Sequence, residues 1–155
     1  MVDDSVVDEL ERSVAAVLRL LADRTTTSDV AKRCGYELPP ASWALLEHLD
    51  AHGALRVSDI AACHGVDVSS ITPRLKRLEG AGLVTRSRAP SDARASLISI
   101  TPVGAHALES VHAARLEILR DALGDTDPER VAGATDVLRR IAGQLSRDPL
   151  ATAAR

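Results

Sequence analysis

Aromatic side chains are nearly missing from this 155-residue chain, which has one Trp, one Tyr and no Phe. Any core must therefore be built from Leu, Val, Ile and Ala, a composition that suits close helix packing. Cysteine is almost as scarce. Cys34 and Cys63 are too few and too irregularly placed for a disulfide framework, which points to a reducing compartment. No apolar run approaches the roughly 18 residues of a membrane-spanning helix. Met1 to Asp4 is acidic and leads into no continuous apolar stretch, so no secretory leader is expected and the cytoplasm is the expected location. A phosphate-binding glycine loop, a nucleophile elbow and any convincing catalytic set are also lacking, so neither enzymatic activity nor a cofactor is expected. The length suits a single domain.

An excess of positive charge is the remaining absence, since the formal net charge is −3. That average hides an asymmetry. Between Asp67 and Arg94 six basic residues (Arg74, Lys76, Arg77, Arg86, Arg88, Arg94) face three acidic ones (Asp67, Glu79, Asp92), a local charge of +3, so the remainder carries −6. A DNA-facing wedge on an acidic body would have this distribution.

Hydrophobic spacing supplies the elements. Val6, Leu10, Val14, Val17, Leu18 and Leu21 recur at three- and four-residue steps, predicting an amphipathic helix over residues 5–23. Residues 24–40 are polar, with three consecutive threonines and Pro39-Pro40 at the end, and are expected to be a linker with at most a short extra turn. Trp43, Leu45, Leu46 and Leu49 place a helix over residues 41–51, ended by Gly53, and residues 55–57 are expected to add a short strand. Ser58 as N-cap opens a short helix over residues 59–64 that buries Ile60, Ala61 and Cys63 and stops at Gly65. The next helix puts Ile71, Leu75 and Leu78 on one face and Ser69, Ser70, Thr72, Arg74, Lys76 and Arg77 on the other, ending at Gly80 and Gly82. Residues 83–88 and 96–101 read as two strands joined by a loop over residues 89–95. Pro102 opens a long helix to about residue 123. Asp127 and Pro128 start a last helix carrying Val131, Val137, Leu138, Ile141 and Leu145, and residues 148–155 form an expected frayed tail.

A short helix, a basic helix and a charged hairpin in that order are what a winged helix-turn-helix DNA reader requires. The fold class predicted is mainly α with a small antiparallel β-wing. The winged helix-turn-helix lies over residues 41–101 of one 1–155 domain, with dimerisation helices over 5–23 and 102–146 and a tail over 147–155.

Three stretches carry a resemblance to the MarR family of winged-helix transcriptional regulators. Residues 57–61, Val-Ser-Asp-Ile-Ala, are similar to its supporting helix. Residues 69–79 with Gly82-Leu83-Val84 are similar to its recognition helix and the turn into the wing. Asp92-Ala93-Arg94-Ala95 is similar to the Asp-x-Arg of its wing. The resemblance implies an obligate homodimer that reads a pseudo-palindromic operator in double-stranded DNA, with half-sites roughly 34 Å apart. It also implies repression relieved by a small phenolic or amphipathic ligand in a crevice that Tyr36 and Trp43 would line. Alternatives of the same fold are a thiol- or metal-responsive regulator, and an interaction module that has lost DNA binding.

Ser69, Ser70, Thr72 and Arg74 sit where a recognition helix meets base edges. Pro73, costly inside a helix, is tolerable if Ser69 or Ser70 is the cap, and a proline here is familiar in the family's peroxide-sensing branch. Lys76, Arg77, Arg86 and Arg88 are expected on phosphates. Arg94 is expected in the minor groove, with Asp92 holding a neighbouring arginine. Lys32 and Arg33 beside Cys34 would favour its thiolate, although the position does not match the family's oxidant-sensing cysteine. His48 and His52 have a chelating i, i+4 spacing, but with His106 and His112 they form no recognisable metal set.

Overall fold

The structure is a computed structural model that describes residues 3–89 and 92–145, and for residues 89 and 92–95 the backbone alone. In chain order the elements are α1 (Asp4–Ala22), α2 (Arg24–Cys34), α3 (Pro40–His52), β1 (Leu55–Arg56), α4 (Val57–Cys63), α5 (Val68–Gly80), β2 (Val84–Ala89), β3 (Asp92–Ile100), α6 (Pro102–Leu123) and α7 (Pro128–Leu145). Helices with a small antiparallel wing are thus the architecture, as the spacing predicts. Among the described residues no helix is long and apolar enough to cross a membrane.

The core gathers the periodic apolar residues of the central segment. Leu45, Leu46 and Leu49 of α3, Ile60 of α4, Ile71, Leu75 and Leu78 of α5, then Leu83, Ile98 and Val111 are all fully buried. Each such side chain contributes about 1.5–3 kcal/mol of transfer free energy. The sheet order is β1-β3-β2, with Leu55 opposite Ile98 and Val84 opposite Ile100. Pairing continues to Ala89 opposite Asp92 after a register shift at Arg88, so both strands run into the segment predicted as a loop over residues 89–95. The tail predicted over residues 148–155 lies outside the described residues.

Residues 24–40 correct the sequence reading, because α2 occupies most of the predicted linker. Its ends are well specified. The Asp23 carboxylate accepts from the Thr25 N–H at 2.8 Å, and this bond holds the carboxyl below its ordinary range. At the other end Gly35 adopts φ +77 and donates its N–H to the Ala31 carbonyl at 2.8 Å, a left-handed cap that favours glycine. α2 packs along α6, and Arg33 reaches Glu117 at 3.1 Å and Asp121 at 3.5 Å.

Two caps also differ from expectation. α4 begins at Val57 with Arg56 as N-cap, so Ser58 lies inside the helix, and Cys63 is half-buried rather than part of the core. α5 begins at Val68 with Asp67 as N-cap. Pro73 therefore falls in the second turn, not beside the first, and the Ser69 carbonyl lacks its usual i+4 N–H donor. Ser69 is exposed, so water can serve that carbonyl in place of the missing N–H, and the core contacts of Ile71 and Leu75 hold the helix across the gap. Pro73→Ala is expected to raise stability by about 2 kcal/mol, the interior-proline penalty less the entropy returned to the unfolded chain. A thermal melt checks this, and an unchanged or lowered midpoint would contradict it.

α6 is pinned to the winged lobe at its start. Thr101 donates its N–H to the Leu83 carbonyl at 3.0 Å and its hydroxyl to the Gly82 carbonyl at 2.7 Å. The same hydroxyl caps α6 by accepting from the Gly104 N–H at 3.0 Å. Further along, Arg115 and His112 of α6 meet Glu47 of α3 at 2.6 and 3.3 Å. In contrast, neither α1 nor α7 buries a single residue.

Candidate nucleic-acid interface

Burial of Ile71, Leu75 and Leu78 turns the opposite face of α5 outward. Ser69, Ser70, Pro73, Lys76 and Arg77 are exposed there, and Thr72 and Arg74 are half-buried. Thr72 donates its hydroxyl to the Val68 carbonyl at 2.6 Å, which leaves its oxygen to accept. Across the groove from α5, Arg86 of β2 lies 3.8 Å from Glu79, and Arg88 is exposed.

A cleft of about 360 Å³ brings Thr72 and Arg86 together with Arg56 and Ser58. Sequence reading missed Arg56. The only signal for it is a basic residue just before the supporting helix. Asp92 and Arg94 belong to β3 by their backbone, and their side chains lie outside the described residues.

Tyr36 and Trp43 come together as expected, with ring centroids 6.3 Å apart in an edge-to-face arrangement. Both line a largely apolar cavity of about 400 Å³ whose other walls include Val17 and Leu21 of α1, Val30 of α2, and Ile118 and Leu119 of α6. Cys34 is buried, with its sulfur 3.4 Å from the Tyr36 carbonyl. The cations expected to favour its thiolate are engaged elsewhere, Lys32 with Asp29 at 3.5 Å and Arg33 with α6. The His48 ring lies tilted against that of His52 and edge-to-face with that of His64, with ring centroids at 4.5 and 5.4 Å. Among the described residues no group of three His, Cys, Asp or Glu could hold a metal ion.

A sequence model of the MarR family matches residues 38–96, the stretch from just before α3 into β3 of the wing. The HTH-type transcriptional regulator YxaD of Bacillus subtilis is 32% identical over 110 residues, covering 71% of this chain and 76% of that protein. The chain belongs to the MarR family. It is a MarR family helix-turn-helix transcriptional regulator. The HTH-type transcriptional repressor MdtR of the same organism is 31% identical over 109 residues, 70% of each protein. A solved MarR family protein from Bacillus stearothermophilus superposes with a TM-score of 0.78 over 95% of this chain and 100% of its own, at 21% identity, and so shares the MarR fold.

Proposed function

We propose that this MarR protein is a homodimeric repressor that occludes a pseudo-palindromic operator and is released by a small apolar or phenolic ligand. The observation that carries the reading is the exposed polar face of α5 beside Arg86 and Arg88, opposite a fully buried apolar face. Ser69, Ser70, Thr72 and Arg74 then meet base edges in the major groove. Pro73 shapes the helix between them. Lys76, Arg77, Arg86 and Arg88 set register on phosphates, and Arg94 enters the minor groove with Asp92 orienting a neighbouring arginine.

Dimerisation is supported by the uncovered apolar residues of the terminal helices, among them Val17, Leu18 and Leu21 of α1, Leu119 of α6 and Leu138 of α7. The family relative MdtR is a repressor. The cavity beside Trp43 has the volume of a small-molecule site, and its walls come from α1 and α6, so an occupant changes how the two reading heads are spaced.

The test is fluorescence anisotropy with DNA from the protein's own promoter region at two salt concentrations, for the natural chain and for Arg94→Ala. Saturable binding that falls steeply with salt is expected, weakened by roughly tenfold in the variant. If neither that DNA nor a selection from random sequence yields a bound site, the reading fails.

A further inference from the structure

We propose that the groove between α2 and α5 is a second track for the phosphate backbone, so that α2 holds the duplex alongside the recognition helix. This rests on the DNA-reading function above and extends it to a segment that carries no winged-helix motif. The groove encloses about 780 Å³ and is lined by Arg24, Thr25, Ser28 and Lys32 of α2 and by Arg77 of α5. Arg24, Ser28 and Lys32 follow one another at i, i+4 and i+8, so they form one row along a single helix face. That row spans roughly 12 Å at 1.5 Å per residue.

Arg77 joins this row to the exposed face of α5, which makes the groove continuous with the DNA-binding surface. Its polar lining has three cations and the hydroxyls of Thr25, Thr27 and Ser28, of which Thr27 already donates to the Asp23 carbonyl; cations and hydroxyls grip phosphate oxygens without regard to sequence. Two carboxylates, Asp29 and Glu37, lie in the same groove. Asp29 holds Lys32 at 3.5 Å with both side chains largely exposed, and such a pair is weak enough to yield to a phosphate. The net balance favours a polyanion.

The experiment uses the full chain and a random-sequence duplex, because backbone contacts need no operator. Anisotropy titrations between about 50 and 200 mM salt compare the natural chain, R24A/K32A and Asp29→Asn, with melts to confirm equal folding. R24A/K32A is expected to weaken binding roughly tenfold at the lower salt. It should also flatten the plot of log affinity against log salt by about 0.9 for each lost phosphate contact. Asp29→Asn is expected to tighten binding, a gain that misfolding cannot produce. Natural affinity and slope in R24A/K32A would overturn the proposal. Absence of salt-dependent binding by the natural chain would instead sink the DNA-reading function itself.

Discussion

Replacing Gly104 by alanine is expected to cost the fold 3 kcal/mol or more. A Cβ at that position would stand 2.0 Å from the Leu83 carbonyl oxygen and 2.8 Å from the Ile100 side chain. The first obstacle is backbone, and it is the acceptor of the Thr101 N–H. Relief therefore requires breaking that bond or moving the start of α6 away from the wing. Overpacking a core normally costs about 1–3 kcal/mol. Here the collision is with main chain, which cannot rotate aside, so the top of that range is the floor. Denaturant unfolding of Gly104→Ala checks the value, and a loss under about 1 kcal/mol would show that α6 is free to shift.

Trp43→Ala is expected to cost about 3–5 kcal/mol, the usual loss for truncating a large buried aromatic. Trp43 is 3% exposed and forms one wall of the apolar cavity against Tyr36. Truncation would remove its contacts and enlarge a space that neighbouring side chains are too short to fill. Circular dichroism melts measure the loss, and a near-neutral result would mean that the cavity collapses freely. As the chain's single tryptophan, it also reports on occupancy in the natural protein. Entry of a phenolic ligand is expected to shift its emission, and titrations without any shift would remove the ligand from the proposed mechanism.

Much of the fold was legible because its driving force is periodic. Leu45, Leu46 and Leu49, and then Ile71, Leu75 and Leu78, mark buried helix faces by spacing alone, and the outward face of α5 follows from them. α2 escaped for the opposite reason. Its sequence is polar and its threonines favour extended backbone, so little but the capping pair Asp23 and Gly35 announces it. Pro73 was misplaced because the helix starts at Val68, ahead of the serines that look like caps. Arg56 and the α2 groove were beyond reach for a different cause. Each depends on segments far apart in sequence meeting in space, and no local pattern encodes that meeting.

The attachment of α6 to the winged lobe makes that helix a lever arm. Its 22 residues span about 33 Å at 1.5 Å per residue. The lobe grips it at Thr101 and again through Glu47, so lobe and helix turn as one body. A rotation of only about 5° about the gripped end carries the far end of a rod that long through roughly 3 Å. A disturbance of one side chain's width near Leu119, at the cavity wall, would thereby be geared to a change in where α5 points.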